Sequence, residues 1–106
     1  MSKKITFEYE KSKFTLEFNR RTVKEAEARG LVLEEIGSKP ATMLTELVYS
    51  AFQMHHRGIS RELTEQIYVS MEDKAGFVSA LAQLYSDAIV ELTDEGAKGN
   101  VSWTMG

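Results

Sequence analysis

The strongest constraint on the fold is a pair of short N-terminal runs in which apolar and polar residues alternate. The apolar side consists of Ile5, Phe7 and Tyr9 in the first run and of Phe14, Leu16 and Phe18 in the second. Alternation of this kind, rich in aromatic residues, is typical of β-strands with one buried face. Residues 10–13 contain neither Asn-Gly nor Asp-Gly, so we expect an antiparallel hairpin over residues 4–18 with a loop of about three to four residues. Because an isolated hairpin is marginal in water, its aromatic face must pack on the rest of the chain.

Four helices are predicted after the hairpin, over residues 20–29, 40–57, 61–71 and 74–92. Their starts carry residues that favour helix N-termini: Asn19 or Thr22 for the first, Pro40 for the second, Ser60 for the third and Asp73 for the fourth. Gly30 is typical of the position after a helix end. The second helix has the widest apolar stripe and is predicted to be central. The sequence therefore predicts an α+β fold, mainly helical, with one compact domain over residues 1–93 and a flexible tail over 94–106.

Length and composition exclude several classes of protein. The chain has 106 residues and no cysteine, which excludes a disulfide framework and thiolate metal ligands. No apolar run approaches the roughly 18 residues needed to span a bilayer. The N-terminus has basic residues without a following apolar segment, so no signal peptide is expected. A cytoplasmic location is the prediction.

Charge is distributed unevenly along the chain. Residues 1–30 hold 8 Lys or Arg and 5 Asp or Glu, whereas residues 31–106 hold 5 and 11. The first part is therefore basic and the remainder is acidic. An acidic body disfavours a dedicated nucleic-acid binder, because such proteins depend on neutralising phosphates.

No motif points to catalysis or to a bound metal or cofactor. His55 and His56 are the only histidines, and adjacent helical positions diverge by about 100°, so they do not chelate one metal from a regular helix. We interpret them as residues favoured by the dipole at a helix C-terminus. The sequence lacks GxSxG, SxxK, GxxxxGK[ST] and GxGxxG motifs. We therefore expect a protein that is not an enzyme and that has no cofactor.

The residues proposed for partner binding are of three kinds. Met43, Leu47 and Met54 lie on the wide stripe of the second helix, where two interpretations stand: core packing, or an exposed apolar patch for a client or an oligomer. Arg20 and Arg21 form a basic cluster, either a solvated edge or a contact for an acidic surface. Trp103, the only tryptophan, follows a glycine-containing linker and either folds back on the hairpin or docks on a partner.

The whole chain resembles a known family on several segments. These are FxYxxxxFTLEFNRRTV over residues 7–23, KPATMLTELVYSAFQMHHRGISRE over 39–62, the acidic fourth helix and the tail with Trp103. They resemble the small tail assembly chaperones of long-tailed, siphovirus-like bacteriophages, formerly a domain of unknown function. The similarity covers about residues 5–103, and its motifs are structural rather than catalytic.

The resemblance implies a role in virion morphogenesis in the cytoplasm of a bacterial host. The expected partners are the tape-measure protein, which such chaperones coat, and the tail-tube protein, which they recruit around it. A homo-oligomer would also be compatible with this role. The alternatives are a small regulatory DNA-binding module that uses the basic end and the turn at residues 55–61, and a structural head–tail connector component.

Overall fold

Residues 3–93 form a hairpin followed by four α-helices. A computed structural model describes residues 3–93, 101–102 and 104–105, without the side chains of 92 and 93. Its elements are β1 (Ile5–Tyr9), β2 (Ser12–Leu16), α1 (Arg20–Ala28), a short 3-10 helix (Leu33–Glu35), α2 (Pro40–Phe52), α3 (Arg61–Val69) and α4 (Lys74–Thr93). The predicted α+β fold, mainly helical with an N-terminal antiparallel hairpin, is confirmed.

The hairpin is held on the helices by its aromatic face. β1 and β2 pair antiparallel, with Phe7 opposite Phe14, and the two rings stack at a centroid distance of 5.5 Å. Both rings meet Phe52 of α2 edge-on, at 6.3 and 5.8 Å, and Phe7 also meets Phe77 of α4 at 6.5 Å. Since Phe52 is fully buried, the strands and helices share one core.

The connection between the strands corrects the sequence prediction. It is a two-residue turn, Glu10–Lys11, rather than a loop of three to four residues, and both residues have positive φ, 48° and 68°. Positive φ at both central positions defines the type I′ turn that suits the twist of a hairpin. A one-residue slip would move the aromatic side chains to the other face, so the packing on Phe52 fixes the register. The turn residues accept a left-handed conformation because the register requires it.

Local capping signals define α1. Of the two predicted starts, Asn19 is the N-cap: its Oδ1 accepts a hydrogen bond from the Thr22 amide at 2.9 Å, and the Asn19 amide donates to Thr22 Oγ1 at 2.8 Å. The helix ends at Ala28, with Arg29 as its C-cap. Gly30 then adopts φ 99°, and the amide of Leu31 donates back to the carbonyl of Ala26 at 3.0 Å. These contacts are the Schellman ending that glycine favours.

The second helix is shorter than predicted. Pro40 occupies its first turn as expected, but α2 ends at Phe52, and residues 53–58 form turns instead of continuing the helix to residue 57. The amide of Gln53 donates to Ser50 three residues back, and His56 donates its amide to the Phe52 carbonyl. The side chain of His56 meanwhile accepts a hydrogen bond from strand β2. Tertiary contacts with the hairpin therefore replace the last predicted helical turn.

The last two helices begin where predicted. Ser60 Oγ accepts from the Leu63 amide at 3.1 Å at the start of α3, and Asp73 Oδ1 accepts from the Gly76 amide at 3.0 Å at the start of α4. α3 ends at Val69 rather than at residue 71. The Ser70 amide is shared between the carbonyls of Gln66 and Ile67, and the Met71 amide donates to the Tyr68 carbonyl only three residues back.

The core lies around α2, which contacts α1, α3, α4, β2 and the 3-10 helix, as expected for the central helix. The most buried residues of this core come from β2 and from all four helices: Leu16, Val23, Leu47, Phe52, Ile67 and Leu81. Tyr85 of α4 meets Phe18 edge-on at 5.1 Å and extends this core past the end of the hairpin.

The predicted tail lies mostly outside the described residues. Of residues 94–106, the structure describes 101–102 and 104–105, where Val101 and Met105 are exposed. The predictions of a flexible linker and of a role for Trp103 concern residues beyond the described part and stay predictions.

The turn provides a test of the register argument. Replacing Glu10–Lys11 by Asn-Gly supplies residues that tolerate positive φ. The free energy of unfolding of the double variant E10N/K11G, measured by chemical denaturation, should therefore be about 1 kcal/mol higher than that of the wild type. The control Ser12→Gly places glycine in the adjacent strand, where it should destabilise the protein by about 0.5–1 kcal/mol. An unchanged or lower stability of E10N/K11G would show that the turn does not limit the hairpin.

Candidate partner-binding surface

The histidine pair joins the end of α2 to the hairpin. The Thr15 amide donates a hydrogen bond to Nε2 of His56 at 3.0 Å, and His55 Nε2 lies 2.8 Å from Glu17 Oε1. His56 also packs against Phe14, with a ring distance of 5.1 Å. Neither ring lies on the helix terminus where the dipole interpretation placed it, because α2 has already ended. Both histidines are occupied in structural contacts.

The turn proposed for DNA binding has its basic side chains engaged within the chain. Arg57 forms a bidentate pair with Glu25 of α1, with Arg57 Nη2 2.6 Å from Glu25 Oε2. Arg61 Nη1 lies 2.7 Å from Glu46 Oε2. These pairs favour a role of the turn in holding α1 and α3 on α2.

A network centred on Glu46 fixes the relative positions of three helices. Its two carboxylate oxygens pair with Arg29 at the end of α1, at 3.0 Å, and with Arg61 at the start of α3. Both guanidinium groups lie over the ring of Tyr49, at 5.1 and 4.0 Å, and Arg29 also donates to Ser50 Oγ at 2.8 Å. The Glu46 side chain is only 12% exposed, so these contacts are partly desolvated and stronger than surface pairs.

The Glu46 network stands beside an apolar groove between α2 and α3. The groove has a volume of about 300 Å³. Its lining residues are mainly apolar: Pro40, Ala41, Leu44, Thr45, Val48, Glu65, Tyr68 and Val69. Val69 is 66% exposed at the rim, and Glu65 is the charged residue of the lining. An apolar concave surface of this kind is typical of a site that receives apolar side chains of another molecule.

The residues predicted for partner binding are separated by the fold. Met43 and Leu47 are buried, with exposures of 6% and 0%, so the core interpretation is correct for them and they are not available to a partner in this conformation. Met54 is half-buried. Arg20 and Arg21 are exposed at the N-terminus of α1, and no described residue forms an ion pair with them. Trp103 lies outside the described residues.

The predictions from the sequence did not include the residues that line the groove, although the spacing of apolar residues on α2 contains a signal for them. Pro40, Leu44 and Val48 recur every four residues and form one side of the wide stripe on α2. Of the two interpretations of this stripe, an exposed patch describes the side that lines the groove, whereas core packing describes the side of Met43 and Leu47. Val69, the last residue of α3, completes the rim.

Other kinds of site are absent from the part of the chain that the structure describes. No group of three or more His, Cys, Asp or Glu residues there is placed to hold a metal ion. No helix among the described residues is long and apolar enough to cross a membrane.

Comparison with known proteins assigns a family. A family model described as "Domain of unknown function (DUF5055)" matches residues 1–106. The chain belongs to this family. No curated protein and no solved structure matches the chain. The groove and the contacts around it are therefore interpreted from their own geometry.

The Glu46 network should contribute measurably to stability. Glu46→Ala leaves two guanidinium groups without their shared carboxylate, and we expect the free energy of unfolding to fall by about 1–2 kcal/mol. Glu72→Ala, which removes an exposed carboxylate with no ion pair among the described residues, is the matched control and should change it by less than about 0.5 kcal/mol. Equal effects of the two substitutions in denaturation experiments would contradict the role of the network.

His56 should make stability depend on pH. Burial, and next the charge of His55, lower the pKa of His56 below 6.5. As the pH falls below 6.5, the unfolded chain binds a proton that native His56 does not, so the free energy of unfolding falls until the pH reaches the native pKa. His56 can change the free energy of unfolding by at most about 1.4 kcal/mol per pH unit.

Denaturation curves between about pH 7.5 and pH 5.5 measure this effect. His56→Gln, whose side-chain oxygen accepts the same Thr15 hydrogen bond without titrating, should flatten the dependence. His55→Gln removes the second cause of the lowered pKa, the charge of His55, but not the first, so it should reduce the pH dependence without abolishing it. A His56→Gln variant with the wild-type pH dependence would rule out His56 as its source.

Proposed function

We propose that this protein is a phage tail assembly chaperone that binds the tape-measure protein and helps to recruit tail-tube subunits during tail morphogenesis. The role is non-enzymatic and is performed in the cytoplasm of the bacterial host. Two independent features support the proposal: the resemblance of the segments at residues 7–23 and 39–62 to such chaperones, and the apolar groove between α2 and α3.

The observation that carries the proposal is the exposed apolar rim of the groove. Val69 is 66% exposed, and it lines the groove together with the half-buried Leu44 and Tyr68. Exposed apolar surface beside a concavity costs solvation free energy in the isolated protein, and it is typical of surfaces that a partner covers. A chaperone for an aggregation-prone client needs such a surface.

The shape of the groove suits an amphipathic helix. The groove lies between two helices, and a volume of about 300 Å³ accommodates a small number of apolar side chains. A helix presents such side chains on one face at three- and four-residue spacing, which is the usual helix-in-groove mode of recognition. A long helical client such as the tape-measure protein offers this face many times.

The charge around the groove suits reversible binding. Glu65 lines the groove, and residues 31–106 are acidic as a whole, with 11 Asp or Glu against 5 Lys or Arg. Like charges on the bodies of bound chaperones oppose their aggregation. Basic residues beside the apolar face of the client would favour its encounter with the groove.

A co-expression pull-down with the tape-measure protein tests the proposal. Val69→Glu places a carboxylate on the apolar rim at a position already exposed, so folding should be retained while capture falls by about tenfold or more. Ser79→Glu adds the same charge to an exposed position of α4 and is the matched control, for which capture should be unchanged. Melting curves of both variants verify the fold.

The outcomes separate the site from the role. Absence of capture by the wild-type protein would overturn the chaperone proposal itself. Capture that survives Val69→Glu but is lost in Trp103→Ala would move the binding site from the groove to the tail.

Two assays distinguish the alternatives. A DNA-binding module would be retained on DNA through Arg20 and Arg21, with a retention that falls steeply as salt rises. A head–tail connector would be present in purified virions, whereas a chaperone leaves before the particle is complete.

A further inference from the structure

A second cavity lies where the end of α1 and the 3-10 helix approach the C-terminal half of α4. Its volume is about 570 Å³, and it shares no lining residue with the groove between α2 and α3. The residues that matter for its chemistry are Glu27, Leu33, Glu34, Tyr85, Ile89 and Val90. They combine apolar walls, two carboxylates and one phenol.

The hydroxyl of Tyr85 has no hydrogen-bond partner among the described residues. The Tyr85 side chain is buried, with an exposure of 2%, and its ring packs edge-on against Phe18. Its oxygen is itself buried and unpaired. Buried polar groups in folded proteins are almost always satisfied, so a donor from outside the chain that reached this orphan hydroxyl would be stabilised there.

The electrostatic environment selects a cation. Glu27 and Glu34 are exposed, and neither forms an ion pair with another described residue. Burial, and next the charges of Glu27 and Glu34, together raise the pKa of Tyr85 to about 12. The phenol therefore stays protonated in a negative field, where a cation is stabilised and an anion is repelled.

The walls of the cavity require more than a bare ion. Leu33 and Ile89 are half-buried in the wall, and Val32 and Val90 at its edge are 39% and 56% exposed. A small hydrated cation would leave these surfaces in water, whereas a side chain with an aliphatic stem covers them and places its charge at the carboxylates.

We propose that this cavity binds an arginine side chain carried by an apolar segment of a partner protein. Its guanidinium group offers five donors in a planar fork, enough to serve Glu27, Glu34 and the Tyr85 oxygen together. Arginine is also more weakly hydrated than lysine, which favours it in a partly desolvated pocket. The neighbouring apolar residues of the segment cover Val32 and Val90.

The site is independent of the proposed chaperone function. It does not include the groove, and it predicts an arginine beside apolar residues in the partner that binds this cavity. Loss of tape-measure binding would leave it unaffected, and its own failure would leave the groove proposal standing.

Titration of the isotope-labelled full chain with short peptides tests the proposal by NMR. The probe is acetyl-Leu-Arg-Val-amide, and its comparison peptides carry citrulline, the neutral isostere of arginine, or lysine at the central position. We expect shifts at Tyr85, Glu34 and Ile89, an affinity about tenfold lower for citrulline, and an intermediate affinity for lysine.

Variants assign the binding to the named groups. Tyr85→Phe removes the hydroxyl alone and should lower the affinity for the arginine peptide about fivefold. The melting temperature should be unchanged or higher, because the lost hydroxyl had no partner among the described residues. Glu34→Gln should weaken binding by a similar factor. Glu72→Gln removes an exposed carboxylate outside the cavity and should change nothing.

Four results would overturn the proposal. Equal affinity for the citrulline peptide would remove the charge argument, and an unchanged affinity of Tyr85→Phe would remove the hydroxyl from the site. Shifts confined to α2 and α3 would place the peptide in the other groove. Concentration-dependent association of the chain, abolished by Glu34→Gln and insensitive to the peptide, would identify a second copy as the occupant instead.

Discussion

The packing of Phe7 and Phe14 against Phe52 is the contact on which the remaining structure depends. A two-stranded hairpin is at best marginally stable alone in water. Edge-on contact with Phe52, a fully buried ring of α2, buries the aromatic face of this hairpin and stabilises it. This contact sets the strand register, and the register in turn imposes the left-handed turn. It also places strand β2 close enough for the Thr15 amide to reach His56, so the chain turns after Phe52 instead of continuing α2.

The shortened α2 then determines which surfaces remain open. The turn at residues 53–58 lets α3 approach α2 at an angle that Glu46 holds by binding Arg29 and Arg61 at once. This arrangement leaves an apolar groove between the two helices, while the other side of α2 is covered by α1, α4 and the hairpin. A chaperone function requires such an asymmetry, because a helix buried on every side has nothing to offer a client. The acidic cavity beside Tyr85 is formed separately, by the end of α1, the 3-10 helix and the C-terminal half of α4.

The features that could be predicted from the sequence are those decided by neighbours in the chain. Asn19, Pro40, Ser60 and Asp73 mark helix starts because each acts within one turn, and Gly30 marks an ending because only glycine adopts its φ without strain. The length of α2 could not be predicted in this way. Residues 53–57 have nothing that forbids a helix, and the contacts that end it come from a strand some forty residues earlier.

The same division applies to the candidate sites. The sequence by itself determined the hairpin, the helix starts, the wide apolar stripe of α2 and the uneven charge, because periodicity, capping and composition are local properties. It left two interpretations of that stripe, core packing and an exposed patch. Only the tertiary structure decided that Met43 and Leu47 lie inside while Leu44 and Val69 line the groove, and that Tyr85 is buried with its hydroxyl unpaired. The physical reason is that a stripe wider than one interface can be covered from several directions. Which side remains exposed follows from the angles at which the other helices pack, and those angles are set by contacts between residues far apart in the chain.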